Sequence, residues 1–427
     1  MADCYHRSRA PHPAKREDRV AKAEILPERA PPEGVGLRGS NQSAMRAHNE
    51  RLVLSLLRRN SGVAKSDIAR ATGLSAQTVS VIMRALEEEG LIQRGTPQRG
   101  RIGQPSVPMS LAADGAFFLG LKIGRRSADL LLTDFLGRIR GKRRQVYPYP
   151  TPDAVLAFVE REQEGLLAEL PAPLRSRVGG LGLAMPFQLW EWSRHIDAPP
   201  EMMEPWRNTD MQAALAALTG LPVHLQNDAT AACGAELVFG TGEKPRDFLY
   251  FYFGYFIGGG LVLNGRLFTG RGGNAAGVAT MPVPGPDGRM VRLLEVASTS
   301  SLARAMETAG QSSDQLWTSP DHWDVDPAVL SRWIGGAAAG LASATLSACA
   351  LLELEAVLVD GWMPARIRAE VVAHTETALR GMDLSGITPP QIQEGTVGPD
   401  ARALGAAAAP LAQRYLVDPE ATLGDAA

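Results

Sequence analysis

At 427 residues the chain can form two or three separately cored units, and its three cysteines, Cys4, Cys233 and Cys349, are too scattered for a disulfide framework or a cysteine-based zinc motif. The formal charge of −2 hides a split, since residues 1–110 carry 18 Lys/Arg against 11 Asp/Glu while the remainder is acidic. A basic front on an acidic body reads as a polyanion-binding module or as a solvated tail, and the first thirty residues hold no apolar run, so the expectation is a cytoplasmic protein without a signal peptide.

Residues 1–44, rich in Pro, Arg and Glu, read as a disordered arm. Residues 45–110 read as one small domain. "AMRAHNERLVLSLLRRN" spaces Leu52, Val53, Leu56 and Leu57 as a helix. A second helix, "KSDIARATG", stops at Gly73, and a third, "SAQTVSVIMRALEEEG", starts from Ser75 as N-cap and ends at Gly90. Leu91 and Ile92 then open a strand, "RGTPQRGRIGQPS" is a basic loop, and "VPMSL" is the returning strand.

Three helices followed by a two-stranded hairpin is the order of a winged helix-turn-helix. Ile68, Leu74, Val79, Ile82 and Leu86 can close its core, which leaves Ser75, Ala76, Gln77, Thr78, Ser80 and Arg84 facing outward, where short polar side chains can meet base edges and phosphates in a major groove. Arg99 and Arg101 in the acid-free loop, with Gly103 and Gln104 beside them, suit a narrow, negative minor groove. The competing reading of the same helices is a protein-interaction module.

After residue 110 the pattern changes. "AFFLGLKIG" and "SADLLLTDFLGRIRGK" read as two strands joined by a turn, and "TPDAVLAFVEREQEGLLAEL" as an amphipathic helix. "VGGLGLAMP", "LPVHLQND", "DFLYFYFG", "GGGLVLNGRLF" and "EAVLVDGW" read as further strands with helices such as "ATAACGAELVFG" between them, an α/β body with mixed sheets. "GGAAAGLASATLSACALL" is uncharged but made mostly of Ala, Gly and Ser and followed by Glu353 and Glu355, so it reads as a packed helix in a soluble core rather than a membrane span.

From about Met45 to Pro410 the chain resembles the ROK family of sugar kinases and sugar-responsive transcriptional regulators. The stretch "RLVLSLLRRNSGVAKSDIARATGLSAQTVSVIMRALEEEGLI" is similar to the regulators' DNA-binding head, and "LPVHLQNDATAACGAE" to the segment that holds the family's catalytic Asp, here Asp228. "FIGGGLVLNGRLFTGRGGNAAG" resembles the family signature and "VGPDARALGAAAAPL" the closing helix. The resemblance implies an actin/hexokinase-like fold, two α/β lobes around a sugar cleft. Lobe 1 would span residues 111–228, lobe 2 residues 229–395, and a closing helix and tail residues 396–427.

The departures from the family pattern are as informative as the matches. In the first phosphate loop, Lys122 stands where active kinases carry an Asp, with Arg125 and Arg126 following, and a Lys cannot bind a nucleotide's Mg²⁺. In the second loop, Tyr255 and Phe256 replace small residues, so they are expected to fill the space of a phosphate, and the Gly258–Gly260 run is expected to serve a tight turn. Asp360 and Trp362 intrude on the adenosine side. The cysteines of the family's zinc pattern are missing from "PDGRMVRLLE", where only Glu295 remains, and Gly277 and Thr280 stand in place of a sugar-binding Glu and a zinc-ligating His.

The resemblance and its departures together predict a DNA-binding regulator, a repressor, without catalytic residues, zinc or ATP, whose body binds a sugar or sugar derivative. Asn227, Asp228, Asn274 and Glu295 are the candidate ligand contacts, although Asp228 could equally cap the helix that follows it. The expected partners are a palindromic double-stranded operator, a sugar effector, and further copies of the chain in a homodimer or homotetramer, with no membrane. A ligand-independent regulator whose body only oligomerises, and a working sugar kinase that keeps Asp228, are the alternatives.

Overall fold

The computed structural model describes residues 42–97, 107–195, 198–242 and 245–417. The chain divides into two units, Met1–Arg46 and Ala47–Ala427, and of the first only the opening of one helix is described. That helix, α1 (Gln42–Arg59), begins earlier than the expected start near Met45. Helix α2 (Lys65–Thr72) ends on Gly73 at φ 70°, a left-handed position that glycine enters without a Cβ penalty. Helix α3 (Ala76–Glu88) starts from Ser75, whose Oγ accepts the Thr78 amide at 3.1 Å. Strands β1 (Ile92–Arg94) and β2 (Met109–Leu111) pair antiparallel to complete the winged head. Its core takes Ile68, Val79, Ile82 and Leu86 as expected, and also Leu54 and Met83.

The first lobe contains β3 (Phe117–Ile123), β4 (Ser127–Asp134) and β5 (Ile139–Val146), an antiparallel meander. The expected single strand over "SADLLLTDFLGRIRGK" is therefore two. Strand β5 was illegible because Arg140, Lys142, Arg143 and Arg144 leave it no apolar alternation, the composition of a charged edge strand. Helices α4 (Pro152–Ala168) and α5 (Ala172–Arg175) lead to β6 (Val178–Ala184). Helices α6 (Pro200–Met203), α7 (Pro205–Asn208) and α8 (Met211–Thr219) lead to β7 (Val223–Gln226), and the sheet order is β5-β4-β3-β6-β7.

Helix α9 (Asp228–Phe239) passes to the second lobe, whose meander is β8 (Phe248–Phe253), β9 (Ile257–Leu263) and β10 (Arg266–Phe268). A small hairpin, β11 (Pro282–Pro284) and β12 (Met290–Arg292), precedes α10 (Leu293–Val296), α11 (Thr299–Thr308), α12 (Gln315–Thr318) and α13 (Pro327–Cys349). Strand β13 (Ala356–Gly361), α14 (Ala365–Arg380) and β14 (Gln391–Glu394) follow, giving the order β10-β9-β8-β13-β14. Each sheet thus runs third, second, first, fourth, fifth strand, the duplicated α/β plan of actin/hexokinase-like folds. Helix α13 buries Trp333, Ile334, Ala337, Leu341 and Ala344 in the second lobe. Among the described residues no helix is long and apolar enough to cross a membrane.

Helix α15 (Ala401–Tyr415) returns to the first sheet, and its contacts are backbone to backbone. A Cβ on Gly120 of β3 would lie 2.1 Å from the Ala403 carbonyl oxygen, and one on Gly182 of β6 would lie 1.7 Å from that of Ala406. On the opposite side, a Cβ on Gly405 would lie 1.7 Å from the Ala231 oxygen of α9. Helix α15 is therefore wedged between the first sheet and α9 at distances only glycine allows. One apolar cluster joins Val53, Leu57 and Ile68 of the head to Phe118, Leu131 and Phe135 of the first lobe and to Leu404, Ala407 and Leu411 of α15.

Gly405→Ala is expected to cost about 2 kcal/mol or more, because carbonyl oxygens cannot move aside as a side chain can. Gly335→Ala on α13, where an added Cβ meets nothing within 4 Å, should instead stabilise by about 0.5–1 kcal/mol. Denaturant unfolding of the full chain distinguishes the two, and equal effects would remove the wedge argument.

Candidate functional site

The outward surface of α3 is the first candidate site. Ser75, Ala76, Gln77, Ser80 and Arg84 are exposed and Thr78 is half-buried. The hydroxyls are less available than their positions imply: Ser75 and Thr78 share a hydrogen bond at 2.8 Å, and Ser80 donates to the Ala76 carbonyl at 2.8 Å. Arg94 is held by Glu87 through two hydrogen bonds, of 2.6 and 2.8 Å. Arg99, Arg101, Gly103 and Gln104 lie outside the described residues.

The head is docked on the body. Arg58, at the end of α1, donates to the Phe135 carbonyl at 2.6 Å and stacks on the Phe135 and Phe239 rings at 5.1 and 5.7 Å, and burial pushes its guanidinium down to about 10. The Val417 amide donates to Ser55 Oγ at 3.0 Å, and Tyr415 meets the Phe135 ring edge-on at 4.9 Å.

The second candidate site is where the meander turns of the two lobes face each other. Between β3 and β4, Gly124 N donates to the Ser127 carbonyl at 2.9 Å, which closes a tight turn with Arg125 and Arg126 at its tip. Between β8 and β9 the turn is Gly254-Tyr255-Phe256. Arg125 stacks on Phe256 at 4.4 Å and Arg126 approaches the Tyr255 ring at 5.9 Å, while Tyr255 leans on Trp317 at 5.2 Å. The second turn is also pinned from behind. The Thr299 and Ser300 amides of α11 donate to its Gly254 and Tyr255 carbonyls, and Ile257 N donates to Ser298 Oγ at 3.0 Å.

The Gly258–Gly260 run does not form the expected turn; it lies inside β9, paired with Tyr252, Phe251 and Tyr250 of β8. Its glycines serve packing. A Cβ on Gly258 or Gly260 would lie 2.6 or 2.2 Å from the Cβ atoms of Ala229 and Cys233 on α9, and one on Gly259 would meet Val278 on the other face at 2.8 Å.

Lys122 is buried, and its ammonium donates to Asp129 at 2.9 Å and to Ser127 Oγ at 2.8 Å. Burial pushes it down to about 8 against the opposing pull of Asp129. Burial alone would raise the Asp129 carboxyl, but Lys122 and then Arg144 outweigh it and hold it below the usual range. Arg144 of β5 also reaches the second lobe, donating to the Trp317 carbonyl at 3.1 Å and stacking on Trp362 at 4.1 Å. Asp360, at 0 % exposure, accepts from Tyr250 Oη, the Gly361 and Gly398 amides and Arg368. It is thus a junction of β13 with α14 and the segment leading into α15.

Asp228 opens α9, but Asn227 caps that helix, its Oδ1 accepting the Ala229 and Thr230 amides at 3.0 and 3.3 Å. The Asp228 carboxylate instead pairs with Arg402 of α15 at 3.2 Å, both side chains 13 % exposed, and Arg402 also lies over the Tyr252 ring at 4.9 Å. Asn274 is exposed, and Glu295 is exposed and bound to the backbone and guanidinium of Arg292. Thr280 Oγ1 donates to the Gly277 carbonyl. The structure therefore joins Asp228 to Arg402, a partner distant in sequence, and commits Asn227 and Glu295 to helix starts. Arg144 and Asp129 lie in no motif, Arg402 sits in the closing-helix stretch with nothing there to mark its partner, and only three-dimensional pairing reveals all three.

Comparison with known proteins places this geometry. A family profile described as "ROK family" matches residues 118–290, and one described as "Winged helix-turn-helix DNA-binding" matches residues 46–93. An uncharacterized protein of Sinorhizobium fredii is 24% identical over 88% of this chain and 94% of its own length. The xylose repressor of Bacillus subtilis is 20% identical over 57% of this chain, a match that spans 62% of the repressor. A crystal structure described as a ROK family transcriptional regulator, a homologue of the E. coli MLC protein, superposes with a TM-score of 0.63 at 21% identity, covering 87% of this chain and 96% of that one. Residues 118–290 thus carry a ROK-family domain and residues 46–93 a winged helix-turn-helix DNA-binding head, in a two-lobed α/β fold like that of the superposed structure.

Proposed function

We propose that the chain is a repressor whose body has exchanged sugar phosphorylation for regulation. The observation that carries this reading is the stacking of Arg125 on Phe256 and Arg126 on Tyr255, between the two turns that a ROK kinase keeps for nucleotide phosphates. Side chains occupy the approach to the turn backbone, the Ile257 amide is spent on Ser298, and the Lys122 ammonium cannot ligate Mg²⁺. These residues do not fit ATP·Mg²⁺. The positions of the family's zinc pattern do not fit zinc either: they supply no thiol, and Glu295 is held by Arg292.

In this reading the head binds a palindromic operator as a dimer or tetramer in the cytoplasm. A sugar or sugar derivative at the cleft, near Asp228, shifts the balance between body states and with it operator affinity. A ligand-independent body has its own support, because Asp228, Asn227 and Glu295 already have partners within the chain. Thermal-shift screening of pentoses, hexoses and their derivatives separates the two, since saturable stabilisation supports the sensor and none supports the platform.

Binding of the purified chain to genomic fragments at physiological salt is expected to be sequence-selective. Arg84→Ala should weaken the selected complex about tenfold or more while leaving non-selected DNA less affected. A wild-type chain without sequence preference would overturn the regulator reading. ATP turnover with a panel of hexoses and pentoses is expected to stay at background, and robust turnover abolished by Asp228→Asn would reinstate the kinase.

A further inference from the structure

The position on α3 that the sequence did not single out is Val81, which is 56 % exposed. It stands one turn after Gln77 and one turn before Arg84, so the three side chains share one face of the helix. The hydroxyls on that surface are turned back on the helix, Ser80 to the Ala76 carbonyl and Thr78 to Ser75. What α3 offers outward along its middle is therefore an amide, an isopropyl group and a guanidinium. Neither Gln77 nor Arg84 has a side-chain hydrogen bond or ion pair among the described residues. Valine is a poor choice for an exposed helix interior, where its branched Cβ costs helix propensity, so local stability does not account for it.

From Gln77 to Arg84 the helix rises roughly 10 Å, about three base-pair steps. In a major groove the only apolar group on a base edge is a pyrimidine C5-methyl, while Gln matches the adenine edge and Arg the guanine edge. We infer that Val81 is a specificity-determining residue that packs on a pyrimidine 5-methyl group, thymine's in unmodified DNA, between polar base contacts from Gln77 and Arg84. The inference rests on the regulator reading and names what its head reads.

The test begins with selection of binding sites from a synthetic, unmethylated random duplex pool by the full-length chain. The enriched duplex is then remade with each thymine in turn replaced by deoxyuridine, which removes the methyl and keeps the base pair. At one position the wild type is expected to lose about three- to fivefold in affinity, the worth of one buried methyl. Val81→Ala should lose less than twofold from the same change, while keeping the wild-type melting temperature and the wild-type salt dependence that reports phosphate contacts. Placing 5-methylcytosine·guanine at that position tells the methyl from thymine's carbonyl: the methylated pair should bind the wild type more tightly than unmethylated cytosine·guanine. Enrichment of a site with no thymine whose methyl matters, or equal methyl dependence in wild type and Val81→Ala, overturns this inference alone. No enrichment at all overturns it together with the regulator reading.

Discussion

The constraint on which the rest of the molecule depends is the absence of side chains where α15 meets its neighbours. Gly120, Gly182 and Gly405 bring three backbones to distances that no Cβ permits, so α15 is fixed against the first sheet on one side and α9 on the other. The Asp228–Arg402 pair follows from that position. Arg402, at the start of α15, meets Asp228, at the start of α9, because the two helices cannot slide without a carbonyl striking a glycine Cα. The far end of α15 delivers Tyr415 and Val417 to Phe135 and Ser55, where the head sits.

Helices α9 and α15 therefore share a plan. Each has one end at the Asp228–Arg402 pair and the other beside the head, α9 with Phe239 under Arg58 and α15 just before Val417, whose amide binds Ser55. The head is not tethered by a loose linker; its core runs unbroken into the first lobe. In the proposed regulator, a ligand that alters the Asp228–Arg402 pair acts on two rods that already touch the DNA-binding module, and close-packed helices transmit displacement rather than absorb it. The opposing turns add a second linkage between the lobes, made of guanidinium on aromatic ring.

Local grammar made much of this legible from sequence. The caps at Ser75 and Gly73, the helix spacing of the head and the altered phosphate-loop residues are all properties of a few consecutive letters. What stayed hidden was set by partners far away. Asp228 reads as ligand contact or cap until Arg402, from the far end of the chain, is seen beside it and Asn227 is seen capping. Strand β5 hid because its basic residues answer to Asp129, Asp400 and Glu169 rather than to a core. The glycine run was misplaced because a stretch of glycines reads alike whether it frees a turn or admits a helix, and only the nearness of Ala229 and Cys233 shows that here it admits α9.

The position of α15 in the chain has a consequence for synthesis. Every element it fastens, the head helices, β3, β6 and α9, leaves the ribosome before it does. Until α15 emerges, the glycine-lined face of the first sheet and the flank of α9 are uncovered, and Phe118 and Phe135 lack Tyr415. The DNA-reading head is thus translated before α15 and acquires its fixed seat on the body only once α15 has been made. This ordering ties a finished head–body arrangement to a chain synthesised through α15, so a chain stopped short of that helix retains a head without the wedge that sets it.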